Sequence, residues 1–231
     1  MHWRRGRRNA SEHKEYKKGF EKGRKKVGGT RYCPFINRIS LHGTRLSCSG
    51  SVLWRTKINC KGSNNSISIE EGCILRNCVI HICGNSNQIM LASGVHATNA
   101  EIWIEDDGNI VKIGKGTSLC GRIHLACIEG QTIAIGEKCL FSSDIIFRTG
   151  DSHSVLDDQG RRINASKSIC IGDHVWIGNR AMINKGVRIG KNSIVGNGAI
   201  VTKPYSEEGV VLAGVPAKVV KRNINWDPRR I

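Results

Sequence analysis

His153 is the side chain whose type and setting point most directly to chemistry. It stands in Arg148-Thr149-Gly150-Asp151-Ser152-His153-Ser154, within a polar stretch that runs on to Arg162. A neutral imidazole can take a proton from a hydroxyl near neutral pH. Asp151 is near enough in the chain to orient the ring, and so are Asp157 and Asp158. His153 and Asp151 are the catalytic candidates. An isolated Asp-x-His is usually a solvated loop, so the surrounding framework must decide. Trp176 is the second informative side chain. Val175 and Ile177 flank it at positions that repeat as inward-facing, so strand alternation turns the indole outward. An outward indole calls for cover by a ligand or a neighbouring subunit. None of the ten cysteines lies in the His153 stretch, which argues against a covalent route through sulfur. No Cys-x-x-Cys occurs, and the step of five through Cys73, Cys78 and Cys83 matches no common zinc module. His124, His153 and His174 include no close pair, so a three-histidine zinc cage is not expected.

The framework is a repeat. Ile171, Ile177, Ile183, Ile189, Val195 and Val201 fall six residues apart, each preceded two positions earlier by a small or β-branched residue in most cases. Gly172, Gly178, Gly190 and Gly196 follow four of them; Asn184 and Thr202 stand where glycine would continue the pattern. A period of six fits neither one helix face nor simple alternation, but it fits short strands joined by tight corners. Three hexapeptides close one triangular coil, and stacked coils make a parallel β-helix. Upstream the period is 22: Ile67, Ile89, Val111 and Ile133 form one series, Ile58, Ile80 and Ile102 a second, and Leu53, Leu75, Ala97, Leu119 and Phe141 a third. The step of 36 from Ile135 to Ile171 reads as two coils of 18. Gly62-Ser63-Asn64-Asn65, Gly84-Asn85-Ser86-Asn87 and Asp106-Asp107-Gly108-Asn109 recur as turns. Between Phe147 and Ile169 the six-residue phase breaks, so 148–168 is expected to leave the solenoid as an excursion and rejoin in register, a favourable place for a site.

Composition agrees. Aromatics make up 5% of the 231 residues, as a narrow aliphatic interior requires. The net charge is +17, and residues 1–31 hold twelve Lys/Arg against three Glu. Residues 1–36 are therefore expected to be a basic arm, 37–204 the β-helix and 205–231 a C-terminal tail. Such an arm suits an anionic glycan or an acidic membrane surface. Cys60 and Cys139 fall in inward phases, so the cysteines read as reduced core residues. No apolar run is long enough for a signal peptide or a membrane span, and a cytoplasmic location is expected.

Gly172-Asp173-His174-Val175-Trp176-Ile177-Gly178 and Ala213-Gly214-Val215-Pro216-Ala217-Lys218, with the His153 stretch, resemble the signatures of hexapeptide-repeat acyltransferases, and among them the bacterial saccharide O-acetyltransferases. The resemblance covers residues 100–226 well and 45–100 loosely. It implies an all-β, left-handed parallel β-helix, a homotrimer, and acetyl-CoA in a groove between subunits. It implies His153 as general base and Trp176 as a wall of the acetyl or pantetheine site. Along the last coils it implies backbone contacts to the donor from Gly196 and Ala199. Thr202, Lys203, Lys218 and Arg222 would meet its phosphates, where cations suit a charge-assisted contact, and the tail would pack near them. No metal is expected. The expected function is acetyl transfer to a hydroxyl of a cell-surface saccharide, an anionic one given the basic charge. An N-acetyltransferase of an amino sugar or sugar nucleotide is the nearest alternative. A non-enzymatic solenoid with a nucleic-acid-binding arm is a more distant one.

Overall fold

The computed structural model describes residues 36–231 and the backbone of the short strands Lys25–Val27 and Thr30–Tyr32. Most of the basic arm lies outside the described residues. Lys25–Val27 and Thr30–Tyr32 pair as antiparallel strands, and Thr30–Tyr32 adds in parallel to Val52–Trp54.

The described chain is all strand and turn, wound into three sheets of eleven, eight and seven strands, parallel except for an antiparallel pair at each end of the eleven-stranded sheet. Each coil contributes one strand to each sheet. Val52–Trp54, Lys57–Lys61 and Asn65–Ile69 lie on what we term the first, second and third faces, and the order repeats coil by coil. The three aliphatic series in the sequence are the inward columns of these faces: Leu53, Leu75, Ala97, Leu119 and Phe141 on the first, Ile58, Ile80 and Ile102 on the second, and Ile67, Ile89, Val111 and Ile133 on the third. All are buried. Cys60 and Cys139 are buried with them.

Asn and Gly make the corners. Asn64 and Asp106 take positive φ, as do Gly62, Gly84 and Gly108 in the recurring turn segments. Behind those turns, Asn65, Asn87 and Asn109 form a buried ladder at the edge between the second and third faces. Asn65 Oδ1 accepts from the Asn87 backbone N–H at 2.9 Å, and Asn87 Oδ1 from that of Asn109 at 2.8 Å. Asn109 Oδ1 in turn accepts from Gln131 N–H at 3.1 Å. A buried polar side chain is tolerable only when so paired.

One reading of the repeat is corrected. Ile133 pairs directly with Ile169, and Ile135 with Ile171. The step of 36 is therefore one coil that contains the excursion, not two coils of 18. Pairing geometry is blind to the length of chain between partners, so an inserted multiple of six mimics regular coils in sequence.

Candidate active site

The excursion leaves after Ile145–Arg148 on the second face and returns at Ile169–Ile171 on the third. Its root is tightly fixed. Buried Thr149 accepts the Ile128 N–H through Oγ1 at 2.9 Å, and its carbonyl accepts Lys167 N–H at 2.8 Å. Ser168 Oγ joins Gln131 Oε1 and Thr132 N–H, each at 3.0 Å, which carries the asparagine ladder to the root. Gly150 leaves no room for a side chain: a Cβ there would stand 2.2 Å from Ser166 Oγ and 2.7 Å from Ile128 Cδ1.

Within the excursion Asn164 is the hub. Its Nδ2 donates to the His153 carbonyl and to Asp151 Oδ2, each at 2.8 Å, while its Oδ1 accepts Val155 N–H at 2.8 Å. Lys185, from the next coil, donates to Asp151 Oδ2 and, at 2.8 Å, to the Asn164 carbonyl. Arg162 ties the loop back to Glu129 at 2.8 Å. The Lys185 ammonium, then the Asn164 amide, hold the Asp151 carboxyl below its ordinary range. Among the described residues no hydrogen bond joins Asp151 to the His153 ring. Asp151 instead braces the loop that carries His153, whose side chain is exposed.

An open cavity of about 530 Å³ lies at this edge. Arg148, Lys167 and Lys185 bring positive charge to it, Asn184 and Thr202 neutral polar groups, and Asp151 the single carboxylate. Asn164, Lys167 and Lys185 are functional neighbours that no sequence motif marks. The one signal for Lys185 was the departure from glycine at Asn184, immediately before it.

Trp176 lies elsewhere. It is on the first face, in register with Leu140 and Ile194, and is 37% exposed. The excursion leaves from the edge between the other two faces, opposite the first face. A single chain therefore does not bring His153 and Trp176 together. The tail does reach Trp176: Trp226 stacks on His174 with centroids 4.2 Å apart, donates Nε1–H to the His174 carbonyl at 2.8 Å, and lies 6.1 Å from the Trp176 ring.

The remaining candidates divide between the two places. Thr202 lines the cavity, and Lys203 follows it, with its ammonium 5.6 Å from the Tyr205 ring centre. Lys218 is on the hairpin strand Ala217–Lys221 that ends the first face, and Arg222 just beyond it pairs with Glu207 at 3.0 Å. The N–H groups of Gly196 and Ala199 are already spent inside the chain, on the Leu212 and Gly196 carbonyls at 2.8 and 3.2 Å. Their carbonyl oxygens also accept within the chain, that of Gly196 from Ala199 N–H and that of Ala199 from Met182 N–H at 2.9 Å, so only a second lone pair on each is left for a ligand.

The described histidines scatter. His124 pairs with Glu101 at 2.8 Å on the second face and His174 lies under Trp226. Among the described residues no three His, Cys, Asp or Glu side chains gather as metal ligands. Burial pushes the thiols of Cys78, Cys127 and Cys139 up to about 11, which suits core packing and not nucleophilic attack.

This parallel coil of hexapeptides has counterparts among known proteins. The bacterial transferase hexapeptide family model, of six repeats, matches residues 171–203. The chain is 34% identical over 172 residues to a polysialic acid O-acetyltransferase of Neisseria meningitidis, covering 74% of this chain and 79% of that protein. It is 42% identical over 120 residues to a polysialic acid O-acetyltransferase of Escherichia coli O1:K1, covering 52% of this chain and 38% of the relative. The chain thus spans less than half the length of that relative. The crystal structure of the polysialic acid O-acetyltransferase OatWY aligns with a TM-score of 0.78 at 30% identity, over 85% of this chain and 93% of that one. The polySia-specific acetyltransferase NeuO aligns with a TM-score of 0.74 at 30% identity, over 84% and 88%.

The chain belongs to the hexapeptide-repeat O-acetyltransferases. It is an acyltransferase built on a left-handed parallel β-helix, the exception to the usual right-handed crossover.

Proposed function

We propose that the protein moves the acetyl group of acetyl-CoA to a hydroxyl of an anionic cell-surface saccharide. The observation that carries this reading is the His153 excursion, braced by Asn164, Asp151 and Lys185 beside a cavity rich in cations. The relatives named for polysialic acid support an acidic glycan as acceptor. In the reaction His153 takes the proton of the sugar hydroxyl as its oxygen attacks the thioester carbonyl. The C–S bond then breaks, and the proton passes to the departing CoA sulfur. Arg148 and Lys167 hold the acceptor's negative charge.

Two copies are needed to complete the site. The His153 edge of one subunit meets the Trp176 face of the next, so that the indole, the Trp226 ring and Lys218 form the donor wall. Thr202 and Lys203 close the groove from the other side. A homotrimer satisfies this for every subunit at once. The basic charge of residues 1–31 is an accessory electrostatic attraction for the glycan or for an acidic membrane surface. A cytoplasmic location suits the nine described cysteines, all free. Among the described residues no helix is long and apolar enough to cross a membrane.

Incubation of the purified protein with acetyl-CoA and polysialic acid, followed by mass spectrometry, is the test. Gain of alkali-labile acetyl esters supports the reading. Acetyl amides, or no transfer to any acidic glycan, would overturn it.

A further inference from the structure

A column of outward side chains runs down the second face toward the excursion. Strand register aligns Ser40, Asn59, His81, Trp103, Ala126 and Arg148, one from each successive coil. Arg148 ends the column and lines the cavity that contains Asp151.

The middle of the column is aromatic. The His81 and Trp103 rings stack with centroids 4.1 Å apart and planes 23° from parallel. Both residues are half-buried, so each keeps contact with solvent. Trp103 Nε1–H donates to Glu105 Oε1 at 2.8 Å, and Asn59 Nδ2 lies 3.5 Å from His81 Nδ1. Desolvation holds the His81 imidazole below its ordinary range, with Lys61 and Lys57 adding to the effect against Glu105 and Glu101. The ring is therefore neutral at neutral pH and stacks without a charge.

The core does not require these rings. The inward positions of both strands are filled by Ile80, Ile82, Ile102 and Ile104. By contrast, the outward positions of Asn65–Ile69 on the third face carry Ser66 and Ser68. A Trp and a His at facing outward positions place an apolar surface beside polar edges, an arrangement suited to a ligand with both characters. A pyranose ring has them: its C–H face packs on an indole, and its hydroxyls meet groups such as Asn59 and Glu105.

We infer that this column is an accessory track for the saccharide acceptor, in which sugar units remote from the reacting hydroxyl rest on Trp103 and His81. The inference rests on the acetyl-transfer reading above. Trp103 is two coils from Arg148, about 9.6 Å at the usual strand spacing. Ala126, between them, is small and buried, so the track makes its contacts at its two ends. The track reads ring faces and hydroxyls, and charge is read at the Arg148 end. Its consequence is a preference for chains over short fragments.

Polysialic acid of long chain and its trisaccharide fragment, each at saturating acetyl-CoA, are the probes. Trp103→Ala is expected to raise KM for the long chain about three- to tenfold while leaving kcat and the fragment's constants unchanged. Trp103→Phe, which keeps a ring, should retain most of the preference and guards against misfolding as the cause. Calorimetric titration with the long chain, without donor, should register the same loss of affinity. An unchanged KM for the long chain, or an equal change on both acceptors, would overturn the track. If the wild-type protein acetylates neither probe, the acceptor reading falls and the track falls with it.

Discussion

The edge between the second and third faces and the opposite first face divide the candidate site between them. The edge is irregular. It breaks the repeat, carries His153, and is held by Asn164 within the excursion and by Lys185, which reaches it from the next coil. The first face keeps its repeat: Trp176 is one rung in a column with Leu140 and Ile194, and only its size and exposure set it apart. The difference teaches that a solenoid can place one half of a site by insertion and the other half by a single substitution on a regular wall. Neither half reaches the other within one chain.

The largest expected effect sharpens that contrast on the edge. His153→Ala should lower turnover by about 10² to 10⁴ with an unchanged melting curve, as measured by acetyl transfer and circular dichroism. A folded variant with most of its activity would remove the base from the edge.

Asn87→Leu probes the ladder beneath the edge. It leaves the Asn109 N–H and the Asp106 carbonyl without their Asn87 partners in a buried setting. The expected cost is about 2–4 kcal/mol in denaturant unfolding, with donor affinity intact in the folded fraction. A loss below about 0.5 kcal/mol would show that the ladder is not needed for the coil.

On the face, Trp176→Ala should raise KM for acetyl-CoA by about tenfold with little change in stability, since the side chain lies outside the core. Unaltered donor kinetics would make the indole an interface residue alone.

The smallest effect concerns pH. Asp151 is held below its ordinary range in the folded protein. Its contribution is therefore present above the ordinary carboxylate range near 3.8 and is lost as pH falls through the depressed value. Because the carboxylate is exposed, the gain in stability is small. Amide protection factors in residues 151–165 should hold down to about pH 4 and fall below it, and Lys185→Met should move that onset upward. Insensitivity of the onset to Lys185→Met would separate the ion pair from loop order.

Much of this was legible in the sequence because the β-helix interior is periodic. The series through Ile67, Ile58 and Leu53 became the inward columns of three faces, and the phase break at 148 became the excursion. The bracing was not legible. Lys185 meets Asp151 across 34 residues, a separation set by coil stacking and by no local pattern. The partners of Asp151 were hidden for a related reason: its carboxylate meets Asn164 and, from the next coil, Lys185, contacts that closeness in sequence to His153 does not announce. Trp226, 52 residues from its His174 partner, carried no repeat signal at all.

In the proposed arrangement each site is shared between two copies. Co-expression of His153→Ala with Trp176→Ala, differently tagged and purified as mixed assemblies, tests it most directly. Each variant alone should be impaired and the mixed assembly should regain activity, because some interfaces pair an intact His153 edge with an intact Trp176 face. Mixed assemblies that form but do no better than the average of the two variants would contradict it.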